Sequence, residues 1–333
     1  MVFNPLILPE CPLPSLTRLQ SASKGFHYRH GVREFVFCDK LERSFRIWKL
    51  STGLYRAESE GHESGLSILP EGIESTVRLQ ELRVYSCQEI RGFQFGRFKE
   101  LRNLEVSKCP LFESLYCGDA EMPLLSLHYL SIRKCNNFIS FPGQGLRAPN
   151  LMKLHLKNLT ALEGLPKHMH SLLPSLTELA LENCAKLRSF PEGGLPSSIQ
   201  ILVICGCRKL FADRKNWGLQ ALQSLSRLDI EDCDQVLESF PEETLLPPSL
   251  NSFQLCDFKH LKSLDYKGLE HLSSLSELKI FGCPELQSLQ EEGLPSSLQY
   301  LAISGCPKTL MKRCQENGGD RHKISHIPWI VIG

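Results

Sequence analysis

Apolar positions recur along this chain in one fixed spacing, apolar-x-x-apolar-x-apolar-x-x-Cys, from residue 79 to residue 306. Eight copies end in cysteine: Leu79/Leu82/Val84/Cys87, Leu101/Leu104/Val106/Cys109, Leu127/Leu130/Ile132/Cys135, Leu176/Leu179/Leu181/Cys184, Ile199/Leu202/Ile204/Cys207, Leu225/Leu228/Ile230/Cys233, Leu275/Leu278/Ile280/Cys283 and Leu298/Leu301/Ile303/Cys306. Two more end in a larger apolar residue, Leu151/Leu154/Leu156/Leu159 and Leu250/Phe253/Leu255/Phe258. The two inner anchors are separated by a single residue, which is the period of a β-strand. They therefore point one way while the intervening x residues point the other. Each copy predicts one short strand.

The copies follow one another at roughly 22 to 26 residues, the period of a leucine-rich repeat and too short for paired-helix repeats. One unit cannot bury its own leucines, each worth about 1.5–3 kcal/mol when fully buried, so stability must come from stacking. The expected fold is an α/β solenoid, a horseshoe with a parallel β-sheet on its concave face and a mostly irregular, short-helical convex side. The connecting segments repeat as well. Phe190-Pro-Glu-Gly-Gly-Leu-Pro-Ser-Ser-Ile199 and Leu289-Gln-Glu-Glu-Gly-Leu-Pro-Ser-Ser-Leu298 are near copies, and their Pro and Gly exclude a long helix there.

The two ends depart from the template. Over 1–75 it is faint, at Leu16/Leu19/Ser21 and at Val32/Phe35/Phe37, with an irregular insertion from Lys40 to Glu74. We divide the chain into degenerate N-terminal repeats (1–75), about ten regular repeats (76–306) and a C-terminal cap (307–333). In the cap, Pro307 to Cys314 predicts a short helix, and His326-Ile-Pro-Trp-Ile-Val-Ile332 an apolar strip.

Composition changes this picture little. A formal net charge of +1 with 42% hydrophobic residues gives no bulk attraction to nucleic acid. No stretch approaches the roughly 18 apolar residues of a membrane span. The first ten residues lack a basic, then apolar, leader, so a cytoplasmic or nuclear address is expected. Eight of the 14 cysteines are repeat anchors, which predicts buried thiols in a reducing compartment, not bridges. Cys205-Gly-Cys207 and His168-Met-His170 lack the second ligand pair of a zinc site, and Asn158-Leu-Thr160 is a glycosylation sequon that needs a secreted chain to matter. No Gly-Lys-Ser/Thr follows the glycines, and no catalytic motif occurs. Neither cofactor nor metal is expected, and the chain reads as non-enzymatic.

The Cys-ended repeat, the Leu-Pro-Ser-Ser-Leu-x-x-Leu run-in (Leu195 to Leu202, with Ile199 at its fifth position, and Leu294 to Leu301) and the ending Cys306-Pro-x-x-x-x-Lys-Arg-Cys314 with Lys323-Ile-Ser-His-Ile-Pro328 resemble the C-terminal part of plant coiled-coil, nucleotide-binding, leucine-rich-repeat disease-resistance proteins. The resemblance covers about 76–333. It implies a domain that recognises a pathogen effector or a guarded host protein and restrains a nucleotide-binding domain. The phosphate loop, switch domain and coiled coil of that family are not in this sequence. A substrate-recognition subunit of a ubiquitin ligase is the alternative; it would need an N-terminal adaptor-binding helical module, which the Pro-rich first fifteen residues do not resemble. An extracellular receptor would carry a leader and paired capping cysteines.

The x positions are the expected binding surface. Arg133, Lys134, Lys153, His155 and Lys157 predict a basic patch on two neighbouring strands, and Glu178, Glu182, Asp229, Glu231 and Asp232 an acidic one further along; Arg83 is an x-position cation of the first clear repeat. Lys279 adds an isolated cation. Tyr85, Tyr129, Phe281 and Tyr300 are expected as exposed rings that anchor a protein partner.

Overall fold

A computed structural model of the chain describes residues 80–88, 90–92, 99–115, 123–289 and 292–333, together with the backbone of three short strands nearer the start. Those three are β1 (His27–Arg29), β2 (Glu34–Cys38) and β3 (Leu54–Arg56). The remainder of the expected N-terminal repeats, including Leu16/Leu19/Ser21, lies outside the described residues. Each of the ten template copies becomes one strand: β4 (Glu81–Tyr85), β5 (Asn103–Ser107), β6 (Tyr129–Arg133), β7 (Lys153–Lys157), β8 (Glu178–Glu182), β9 (Ile201–Cys205), β10 (Arg227–Phe240), β11 (Ser252–Leu264), β12 (Glu277–Phe281) and β13 (Tyr300–Ser304). With β2 at one edge and β14 (Trp329–Ile332) at the other they form one 12-stranded sheet in chain order. All its pairings are parallel, the horseshoe sheet that the spacing predicts.

Register is set by burial. Leu82 pairs with Leu104, Leu104 with Leu130 and Leu130 with Leu154, so anchors stack on anchors. A slip by one residue would turn every leucine to solvent. The inner anchors of β4 to β13 are all essentially inaccessible, and they join the run-in leucines in one continuous core. Convex elements are short: α1 (Met169–Leu172), α2 (Arg208–Ala212), α3 (Lys308–Cys314) and single 3-10 turns.

The strand ends in a corner that explains the cysteines. The residue before each terminal anchor takes a left-handed conformation: Lys134, Asn158 and Asn183 at φ 53°, and Gly206 and Gly282 at φ 61°. That turn lets its amide reach the next repeat, as in Asn158 N to Glu182 O at 2.7 Å and Gly206 N to Glu231 O at 2.9 Å. The following thiol points inward and donates to carbonyls the turn leaves open: Cys207 Sγ donates to Cys205 O at 3.4 Å and to Leu181 O at 3.6 Å. All eight anchor cysteines are free and buried. They act as interior terminators of the strand.

Two repeats differ from the expected irregular convex side. Strands β10 and β11 run for 14 and 13 residues, continuing past a bulge between Cys233 and Val236 to pair Leu237 with Leu261 and Phe240 with Leu264. Here the terminal anchor is Phe258, stacked 5.5 Å from Phe240 and edge-on to Phe211 at 5.8 Å. Neighbouring coils bring strands close at the same place, as the isolated bridge between Ser114 and Ser140 shows. In β10 and β11 the pairing extends through Val236–His260, Leu237–Leu261, Ser239–Ser263 and Phe240–Leu264, so the single bridge becomes a ladder. Phe258→Ala should cost about 3–5 kcal/mol in urea denaturation, whereas Val236→Ala, at a 71% exposed position, should change stability by no more than about 0.5 kcal/mol.

The C-terminal segment packs on the core through buried charge. Asp320, 1% exposed, accepts from Arg313 Nη2 at 2.8 Å and faces Lys323 Nζ at 3.0 Å. Lys323 also donates to Leu289 O at 3.1 Å, which fastens the segment to the last regular repeats. Burial alone would raise the Asp320 pKa, but the hydrogen bonds from Arg313 and Lys323 outweigh it and hold the carboxyl below its ordinary value. Its stabilisation is therefore complete above the unfolded aspartate pKa of about 3.9 and is lost as pH falls through the lower native value. Asp320→Asn should cost about 3–5 kcal/mol at neutral pH by leaving Lys323 buried without its anion. It should also flatten the acid limb of a stability-against-pH curve measured by urea denaturation.

Candidate functional site

Each strand from β4 to β13 presents its first, third and fifth residues to the concave face, so the surface is three columns crossing the sheet. Adjacent strands lie about 4.8 Å apart, close enough for side chains one repeat apart to touch. All fourteen residues expected to form the surface, Arg83 to Tyr300, lie in these columns. The structure brings them together in two groups.

The first group is a continuous polar chain over β4 to β8. Arg83 pairs with Glu81 and, at 3.7 Å, with Glu105. Glu105 lies 3.6 Å from Arg133, which donates to Ser131 Oγ at 2.8 Å and to Tyr129 Oη at 3.0 Å. The Tyr129 ring stands edge-on to His155, with centroids 5.3 Å apart. His155 Nε2 and Lys153 Nζ both reach the Glu178 carboxylate at 2.7 Å, and Lys157 pairs with Glu182. Burial by itself would raise the Glu178 pKa; Lys153 and His155 overcome it and lower the value. Tyr85 at the near end has its phenol pushed up to about 12, first by burial and then by the Glu105 carboxylate.

This geometry corrects the picture of a free basic patch followed by a separate acidic one. The register pairs Lys153 with Glu178 and Lys157 with Glu182, so the bases of β7 lie against the acids of β8 and compensate them. Asp229 is likewise not an open acid. It is 4% exposed and gripped by Arg227 through bonds of 3.0 and 2.7 Å. The expected rings are half-buried among neighbours instead of standing free.

The second group lies nearer the C-terminus. Lys279 pairs with Glu277 at 2.7 Å and sits 5.9 Å from the centre of the Tyr300 ring. Phe281 is half-buried at the fifth position of β12, and Glu231 accepts from Gln254 Nε2 at 3.0 Å. Beside this group β14 turns Trp329, 71% exposed, and Val331 outward. Reading 326–332 as an apolar strip of the cap hid these two residues; the alternation with Ile330 and Ile332 was the available signal. Ile201 and Val203 of β9 also face the concave side, and they carry neither charge nor ring to mark them in the sequence. Among the described residues no group of three or more His, Cys, Asp or Glu is placed to hold a metal ion.

The link between Glu105 and Tyr85 is directly measurable. Glu105→Gln removes a carboxylate that disfavours the phenolate and frees Arg83 and Arg133, which favour it, so the Tyr85 pKa should drop from about 12 toward the ordinary tyrosine value of about 10. Ultraviolet titration, with Tyr85→Phe identifying the signal, checks this.

No protein-family model matches the chain. It is 35% identical over 249 residues to the disease resistance protein At3g14460 of Arabidopsis thaliana, an alignment spanning 74% of this chain and 17% of that protein. It is 26% identical over 278 residues to the TMV resistance protein N of Nicotiana glutinosa, covering 68% of this chain and 23% of the relative. The chain thus spans less than a quarter of the length of these relatives. Among solved structures, the leucine-rich repeat domain of the type III effector XopL superposes with a TM-score of 0.54 at 21% identity, over 71% of this chain and 79% of that one. That likeness concerns the fold alone. Among the described residues no helix is long and apolar enough to cross a membrane. The chain is a leucine-rich-repeat homologue of the plant disease-resistance proteins.

Proposed function

We propose that this chain is a recognition module of plant innate immunity. It acts by binding and not by catalysis, in the cytoplasm or nucleus, and takes up a pathogen effector or a host protein across its concave face. Where a nucleotide-binding domain is joined to it, occupancy of that face sets the state of the switch. The observation that carries this reading is the division of labour within each repeat. Anchor residues are sealed in the core, while the three outward columns expose a varied, chemically specific surface on a rigid sheet. A rigid scaffold displaying variable side chains binds without reorganising its backbone.

Within that surface we assign partner contacts to Arg83, Tyr85, Tyr129, Arg133, Lys153, His155, Lys157, Glu178 and Glu182 on the first group of strands. Asp229, Glu231, Lys279, Phe281 and Tyr300 contribute on the second. Compensated charges set orientation and association rate more than affinity; the half-buried rings supply contact area.

A binding screen of secreted pathogen proteins against the purified chain tests the reading. A true partner should lose at least about tenfold in affinity, about 1.4 kcal/mol, when Arg133, Lys153 and Lys157 are all changed to Glu. It should be unaffected by Glu192→Lys with Glu243→Lys in the connecting turns. Circular dichroism establishes that the variants fold. Partners indifferent to the concave substitutions would overturn the proposal.

A further inference from the structure

The concave face changes character at β9. Its three outward side chains, Ile201, Val203 and Cys205, are half-buried and uncharged, whereas β6, β7, β8 and β10 each present at least one charged group. Carboxylates flank this apolar stripe on both sides. Ile201 and Cys205 pair in register with Glu178 and Glu182, and Cys205 lies opposite Glu231.

The two flanks are not equivalent. On β8 the acids are held by Lys153 and Lys157. Beyond the stripe, Glu231 has only the neutral Gln254 amide as a partner. The exposed Asp257 follows Cys256, the register partner of Glu231, and its carboxylate lies over Gly282 of the next coil, so it extends the acidic side beyond Glu231 without bordering the stripe. No cation pairs with Glu231 or Asp257 among the described residues, and the neighbouring Asp232 has only Lys259 at 3.5 Å. A negative potential therefore falls on the stripe. Its effect is visible at Cys205, whose thiol is pushed up to about 12 by burial first and then by the Glu231, Glu182 and Asp232 carboxylates.

We propose that β9 and its uncompensated acidic flank are the docking site for an extended cationic segment of a protein partner, which lays an apolar side chain on Ile201 and Val203 and sets a lysine or arginine against Glu231 and Asp257. The proposal rests on the concave face being the recognition surface and names the chemistry it selects. Apolar contact supplies area removed from water, and the carboxylates select the sign of the neighbouring side chains. The same sign repels phosphate-rich partners, so nucleic acids and anionic membranes do not fit.

Fluorescence anisotropy with a dye-labelled peptide of alternating leucine and lysine tests it on the whole chain. Affinity should fall at least about tenfold in Glu231→Lys with Asp257→Lys. It should stay unchanged in Glu192→Lys with Glu243→Lys, which alters net charge equally but in the connecting turns. Val203→Ser should weaken binding a few-fold, and a leucine–glutamate peptide should not bind. Equal losses in the two double variants would reduce the effect to net charge and overturn the site, as would binding of the glutamate peptide or indifference to Glu231 and Asp257. Self-association of the wild type, abolished by the Glu231/Asp257 reversals in sedimentation, would replace the cationic segment by a second copy. These outcomes leave the broader reading standing, because that reading fails on its own test at Arg133, Lys153 and Lys157.

Discussion

The structure depends on one constraint: the two inner anchors of a strand can be buried only by the strand beside them. Leu154 and Leu156 are sealed because Leu130 and Ile132 lie on one side and Leu179 and Leu181 on the other. Stability is therefore a sum of neighbour terms, and register is not negotiable. The same constraint explains the corner. A thiol such as Cys207 satisfies carbonyls of its own and the preceding coil, so the chain can turn without leaving polar backbone in the core. Beyond β13 the chain adds β14 to the sheet, and the buried Asp320 with Arg313 and Lys323 secures the segment that leads to it.

How much of this was legible depends on whether a feature belongs to one repeat or lies between repeats. The anchors, strands and buried cysteines are properties of a single copy, and the spacing states them outright. The lengthening of β10 and β11 is not, because it needs Phe258, Phe240 and Phe211 to meet across coils. Charge pairing on the concave face is also an inter-repeat property. Lys153 and Glu178 look unrelated in sequence, yet they occupy the same position of adjacent copies. Laying the x residues out in register would have paired them, since anchor-on-anchor stacking fixes register before any coordinate is known. Trp329 was missed for a related reason: a cap was expected where the strand template continues.

Compensation divides the surface into two kinds. Over β4 to β8 each charged side chain is engaged by a neighbour, from Arg83 through Glu105, Arg133 and His155 to Glu178. Partly exposed pairs of this sort contribute little to stability, of order 0–1 kcal/mol each. Their consequence is order: side chains that already have partners lose less freedom when a protein settles on them. From β9 onward apolar groups come to the surface, and at Glu231 and Asp257 charge is left over. A partner meets a preorganised polar half and a half whose charge it must itself complete.

This division bears on how such a surface changes specificity. An anchor substitution is paid in stability, because a leucine lost from the continuous core leaves a cavity costing about 2–5 kcal/mol. An x substitution at a half-buried concave site leaves the core untouched. It is not free of coupling, however, where the position belongs to the compensated chain: changing Glu178 would release Lys153 and His155 together. Positions such as Val203, Glu231 and Asp257 lack an opposite charge to release. Single substitutions can therefore alter partner choice there without disturbing neighbouring ion pairs, and the acid-flanked stripe is the part of the face where recognition can change one residue at a time.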